Sequence, residues 1–353
     1  MKKASLLSTI LLLALAVACE SGTGMEEERH NVYQIRIKGD IPALEGIEGT
    51  RVTFDDSGQL AWGSFETIGL LLGNDQSTSS VTSDTHSTVP LNSYGDGIFE
   101  GSVDFGKFTV NDIRGAVYPY NPNCHYYKST NDHRIRMSVG GAIEANGDRV
   151  QTQRQEGVLN GNSISLLAAF GAGDVGEDSG TYYVDGKTFK WSCGLVRFNI
   201  FGTGAGMEPD ETLKFIKLYV DKNGVYEGES NGNRSIGDYV YYLIESNSFL
   251  YAQTNSGVIT VNLEEPAVLA GRSQANGLKI FMSMATKNYK IGGDSYFEIT
   301  SDRNTYRMPV YAALSITAGN VTKIGIDLTA AFPTPNTLGE FSWIDETVWQ
   351  PVD

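Results

Sequence analysis

The chain is poor in the residue types from which catalytic and metal sites are usually built. It holds three cysteines and four histidines among 353 residues. None of the histidines (His30, His86, His125, His133) stands in a recognisable catalytic context, so no triad with its base and orienting acid can be assembled from the sequence. Cys124, His125 and His133 are close together. A closed zinc site wants four ligands at characteristic spacings, and these three stand at odd ones. Neither a metal nor a cofactor is expected. Positive charge is also short: 27 Lys and Arg face 42 Asp and Glu, for a net charge of −15. Such a chain disfavours nucleic acid and anionic lipid as partners. The acidic residues are scattered among loops and nominate no acid/base pair, so the chain is not expected to be an enzyme. No apolar run reaches the roughly 20 residues of a membrane-spanning helix. Amphipathic helices of four turns or more are missing, as is any short internal repeat.

Glycine and aromatics are plentiful, with 40 Gly, 18 Tyr and 15 Phe. Short strand-like segments recur between glycine-rich turns, the pattern of an all-β protein. They include "SFETIGLLLG" (64–73), "GIFEGSVDF" (97–105), "GAVYPY" (115–120), "HRIRMSV" (133–139) and "SISLLAAF" (163–170). After an interruption come "FKWSCGLVRFNIFG" (189–202), "LKFIKLYV" (213–220), "DYVYYLI" (238–244), "GVITVNL" (257–263), "LKIFMSM" (278–284), "SYFEIT" (295–300), "YRMPVYA" (306–312) and "VTKIGIDL" (321–328). Pro309 places its strand at an edge or a bulge. The interruption, "GAGDVGEDSG" (171–180), reads as a loop or a domain junction. It matches G-x-G-x-x-G, but turn and strand follow where a dinucleotide site needs a helix. Ser179 within it reads as a turn serine. Two antiparallel β-sandwiches in series, 31–175 and 176–330, are the simplest architecture.

The N-terminus carries its own signals. Lys2 and Lys3 precede an apolar stretch from Leu6 to Val17, and small residues at Ala16 and Ala18 lead to Cys19. This is the layout of a signal peptide over 1–18, and the cysteine after it reads as a bacterial lipoprotein site. The other reading is a soluble secreted protein with an incidental cysteine. Residues 19–30 are small, polar and acidic, as in a flexible tether. Acyl chains on Cys19 would anchor it to a membrane. Next, Tyr33, Ile35 and Ile37 alternate with Gln34, Arg36 and Lys38, which predicts a half-buried strand over 31–38. Gly39–Thr50 has no period, and Arg51 comes next. Cys124 and Cys193 remain, in a chain whose export permits disulfides. They are a candidate pair, or two separate buried thiols.

The order of these features resembles the fimbrillin family, the lipoprotein-derived pilin subunits of Bacteroidetes-type bacteria. The resemblance is carried by the lipoprotein signal, "TRVTFDDSGQLAW" (50–62), "AVYPYNP" (116–122), "VQTQRQEGVLNGNS" (150–163) and "FKWSCGLVRFNI" (189–200). It implies two transthyretin-like β-sandwich domains and an outer-membrane lipoprotein precursor. It implies that an arginine-specific protease cuts after the first strand, at Arg51 here, and that a strand from another pilin subunit fills the vacated groove. The other reading of Arg51 is a solvated loop arginine. Residues 331–353 form a tail that could donate one short strand, with Pro333, Pro335 and Gly339 against a longer one. Shaft, tip and anchor roles stay open, as does a host protein or glycan as adhesive target. The competing reading is a surface lipoprotein that binds glycans without assembling, through the tyrosines of "YYKSTNDH" (126–133) and Trp343 or Trp349.

Overall fold

A computed structural model describes residues 31–41, 62, 66–74, 86–128, 133–138, 142–143, 148–157, 165–171, 173–203, 206–220, 239–252, 257–285, 295–310, 316, 318–329 and 342–345. Their regular structure is β throughout, apart from two single turns of 3₁₀ helix. In chain order the strands are β1 (Val32–Asp40), β2 (Thr67–Gly73), β3 (His86–Gly95), β4 (Ile98–Asp104), β5 (Ile113–Tyr118), β6 (His125–Lys128), β7 (His133–Ser138), β8 (Ala142–Ile143), β9 (Arg149–Gln153), β10 (Leu166–Ala169), β11 (Gly176–Asp178) and β12 (Thr181–Thr188). They continue as β13 (Lys190–Trp191), β14 (Cys193–Phe201), β15 (Thr212–Tyr219), β16 (Tyr239–Leu243), β17 (Ser248–Ala252), β18 (Val258–Val268), β19 (Leu278–Ala285), β20 (Tyr296–Ser301), β21 (Thr305–Pro309), β22 (Val321–Asp327) and β23 (Ser342–Asp345).

The strands form sandwiches, as the alternating pattern predicted. A nine-stranded sheet of order β11-β12-β1-β4-β3-β2-β5-β10-β13 faces a four-stranded sheet, β17-β16-β7-β6. Ile35, Leu70, Phe99, Val117 and Leu167 of the first meet Tyr126, Ile135, Met137 and Val240 of the second in one apolar core. A second core lies between the sheet β19-β14-β22-β23 and the sheet β21-β20-β15-β18-β9-β8. There Phe198, Ile200, Ile280 and Ile324 meet Ile216, Leu218, Ile259 and Phe297. Pro309 sits on an edge strand, β21, where its missing N–H costs no ladder bond.

Strand pairing crosses the sequence boundary near 175 in both directions. β16, from the second half, pairs with β7, and β9, from the first half, pairs in parallel with β18. The segment "GAGDVGEDSG" is no plain loop, since half of it builds the β11–β12 hairpin. Ser179 (φ 52°) and Gly180 (φ 83°) are its two turn residues, the left-handed pair of a tight hairpin turn. Ser179 is thus the turn serine that the sequence suggested.

β9 closes a sheet edge in an unusual way. Its inward residues are polar: Arg149, Gln151 and Gln153 are all buried. Gln151 Nε2 donates to Ser283 O at 2.7 Å, and its Oε1 accepts from Ser283 N at 2.9 Å. Gln153 Oε1 accepts from Phe281 N at 2.8 Å, and its Nε2 donates to Lys279 O at 3.1 Å. The two amides therefore supply to edge strand β19 the donors and acceptors that a neighbouring strand would supply. This satisfies backbone groups that burial would otherwise leave unpaired. Gln151→Ala should lower unfolding stability by about 3 kcal/mol, because it orphans a buried N–H and C=O and opens a cavity. Gln151→Leu should fail to restore it, and denaturant titration of the two variants measures both effects.

Candidate functional site

The segment singled out by the sequence, 31–38, lies inside the nine-stranded sheet. β1 pairs antiparallel with β4, from Val32 opposite Asp104 to Lys38 opposite Ile98. On its other side it pairs in parallel with β12, from Gln34 opposite Thr181 to Asp40 opposite Thr188. Ile35 and Ile37 are buried, and Lys38 is exposed, which is the predicted alternation. Burying each isoleucine contributes about 1.5–3 kcal/mol. Tyr33 packs between Phe105 (5.0 Å between ring centroids) and Tyr182 (5.6 Å). On the solvent side Arg36 reaches Asp185 at 3.1 Å, an exposed pair that contributes little.

The C-terminal end of β1 is fastened more tightly. Gly39 N donates to Gly97 O at 3.1 Å, and Phe189 N donates to Asp40 O at 2.9 Å. The indole Nε1 of Trp62 donates to Gly39 O at 2.6 Å. Trp62 stands edge-on to Phe99, Tyr118 and Phe189, with centroids 4.9, 5.1 and 5.2 Å away. Gly97 (φ 70°) lies beneath; a Cβ there would come 2.5 Å from Gly39 O and 2.7 Å from the Trp62 ring. Trp62 thus stands against the C-terminal end of β1, 23 residues on from Gly39 in the sequence. Beside this cluster the Tyr118 hydroxyl donates to Glu66 Oε2 at 2.5 Å. Burial raises the pKa of Glu66 against the opposing effect of that bond.

Arg51 and Cys19 lie outside the described residues. Cys124 and Cys193 share the first core as free, buried thiols and form no disulfide. Burial pushes their pKa values up to about 11 and about 12. Such thiols are inert packing groups. His125 stands 4.4 Å from His86 across a ring contact, while His133 Nδ1 bonds Glu245 at 2.5 Å. Among the described residues no group of three His, Cys, Asp or Glu could hold a metal ion. Tyr126, one of the tyrosines that the glycan-binding reading would use, is instead a core residue of β6, 2% exposed. An open cavity of about 300 Å³ lies beside Arg272. That guanidinium is already held by both oxygens of Glu156, at 2.6 and 3.2 Å. Glu211, fully buried, accepts from Ser301 Oγ at 2.5 Å, the Tyr306 hydroxyl at 2.9 Å and Asn304 Nδ2 at 2.9 Å, tying β15 to the β20–β21 turn.

Sequence reasoning found β1 but missed Gly39, Trp62, Gly97 and Phe189 as its fastening. The one signal for Trp62 was a lone aromatic ending a polar stretch.

No protein-family model matches the chain, and no curated protein matches it. Among solved structures, it is similar to a "putative cell adhesion protein" from Bacteroides ovatus, at 13% identity over 88% of this chain and 95% of that one, with a TM-score of 0.45. Another so described, from Bacteroides fragilis, is 12% identical over 91% and 99% of the two chains, with a TM-score of 0.39. The tip fimbrial protein of Porphyromonas gingivalis with a C-terminal truncation is 10% identical over 89% and 99%, with a TM-score of 0.30. At these scores the likeness is too weak to carry a functional argument.

Trp62→Phe keeps an aromatic ring but removes the donor to Gly39 O. It should cost about 1–3 kcal/mol and raise hydrogen exchange in β1 before the second core is affected. A pH effect arises at His125. Burial, the neighbouring His86 and Arg136 lower its pKa from 6.5 to about 4. The unfolded chain therefore binds this proton first, and the stability it contributes above pH 6.5 is lost as pH falls toward about 4. Glu66, whose pKa is raised, acts in the opposite sense. Thermal melts of His125→Gln should fall less steeply with acid than those of the parent chain.

Proposed function

We propose that the chain is a subunit of a surface fimbria in which β1 is a temporary occupant of the first sheet. The observation that carries this reading is the position of β1. It is an inner strand with partners on both sides, and its C-terminal end is held by Trp62 from the chain that follows. Removing it would bare two rows of backbone groups and the trough that holds Ile35 and Ile37. Such a surface is refilled by another strand or aggregates. In this reading Cys19 carries the lipid of an outer-membrane precursor and an arginine-specific protease cuts at Arg51. The role is adhesive and structural, not enzymatic, and the other partners are further pilin subunits.

A second reading, a glycan-binding surface protein that does not assemble, has one observation in its favour. Tyr219 and Tyr296 stack 4.4 Å apart on the open face of the β15–β20 pair, with the Arg307 guanidinium 5.3 Å from the Tyr296 ring. Of the aromatic residues that the sequence nominated, Tyr126 is buried and does not serve it, while the side chains of Trp343 and Trp349 lie outside the described residues.

N-terminal sequencing of protein recovered from cells separates the readings. The fimbrial reading predicts Val52 as the N-terminus of assembled material. It predicts that Arg51→Ala accumulates an acylated Cys19 form that does not polymerise. Unchanged processing and assembly in that variant would overturn it.

A further inference from the structure

We propose that the groove under β1 reads its occupant at the position of Gly39. It admits a strand of the form large apolar–x–large apolar–x–glycine, running parallel to β12, and residues 329–353 of a second copy do not meet that rule. The inference rests on the strand-exchange reading above and adds to it the form of the occupant: a glycine-bearing strand that is not the tail of a second copy.

β1 itself is the template. Ile35 and Ile37 fill the trough, and Gly39 is the next buried position on the same face. A Cβ added to Gly39 would lie 2.7 Å from Phe189 Cε2 and 3.0 Å from Lys187 O. Phe189 is fully buried and wedged edge-on against Trp62, 5.2 Å away, and Trp62 is wedged in turn against Phe99 and Tyr118. The ring therefore cannot swing aside without disturbing the cluster, and close-packed interiors resist such insertions. The backbone cannot retreat either, because Gly39 N is bonded to Gly97 O, Gly39 O to Trp62 and Asp40 O to Phe189 N. At the intervening positions Arg36 is half-buried and Lys38 is exposed, so the occupant is less constrained there.

Polarity is set at the same place. Within 329–353 the two large apolar residues two apart that involve no proline are Phe341 and Trp343. In the direction of β1 the next position on their face is Asp345, whose side chain has no room and would bury a charge. In the opposite direction Gly339 stands at the required place. Reversing a strand while keeping its side chains on the same face turns each residue's N–H and C=O to the other neighbour. A reversed tail would then leave Gly97 O and the Trp62 N–H without partners at that level. The tail also has a seat on its own chain, since β23 pairs with β22, Trp343 opposite Ile326.

The test uses the full chain with a site-specific protease sequence placed after Arg51. It is cut, and β1 is exchanged in mild denaturant against fluorescent peptides. The peptide of residues 31–41 should enter. The same peptide with Gly39→Val should bind about tenfold more weakly or worse, and the peptide of residues 336–348 should not compete. Equal binding of the Gly39→Val peptide would overturn the rule and leave strand exchange standing. Competition by the 336–348 peptide would overturn the exclusion of a second copy's tail. Failure of the 31–41 peptide to enter would overturn this inference and the strand-exchange reading together.

Discussion

The double pairing of β1, antiparallel to β4 and parallel to β12, is the constraint on which the first sandwich depends. An inner strand completes two backbone ladders at once, so its two neighbours become edges if it goes. Here the same strand also delivers Ile35 and Ile37 to the core and Gly39 to the Trp62 cluster. The C-terminal end of β1 is joined to Trp62 by the indole hydrogen bond to Gly39 O. A cut between 42 and 61 would therefore free the covalent link without undoing the pairing. Release needs a competing strand or a denaturing condition, and the cluster at Gly39 is where a competitor is judged.

Elsewhere two sheet edges are protected. β19 is sealed by the amides of Gln151 and Gln153, which stand in for a neighbouring strand. β21 carries Pro309, which cannot extend a ladder. These devices leave those edges poorly suited to strand addition and give the β1 groove its distinct place in the molecule. The cost is a polar row, Arg149, Gln151 and Gln153, in the interior. It is tolerated because each glutamine amide finds donor and acceptor on β19, and Arg149 Nη1 donates to Ser138 Oγ at 3.2 Å.

Much of the β architecture was legible in the sequence because one face of most strands is apolar at period 2. β1, β7, β14 and β22 show that alternation plainly. β9 was hidden by an inversion, since its buried residues are glutamines and an arginine, and "VQTQRQ" therefore reads as a turn. β12 was legible as a strand after its glycine- and acid-rich turn, but its pairing with the distant β1 was not, for parallel pairing leaves no local mark. Trp62 carried no period, and its role depends on Gly39, Gly97 and Phe189 arriving from three other places in the chain. Tyr126 was misjudged because its loop-like neighbours obscured a strand that pairs with β7. What the groove under β1 accepts is written in side-chain clearances at Gly39, and these exist only once the sheet is formed.

The most direct test of the account is hydrogen exchange on the chain cut between 42 and 61, measured before and after β1 is removed. The account predicts that cutting alone changes little. Removal of β1 should then raise exchange in 98–104 and 181–188 and leave 195–201 and 278–285 protected. Unchanged exchange in 98–104 and 181–188, or loss of protection through the whole chain, would contradict the view of β1 as a separable occupant.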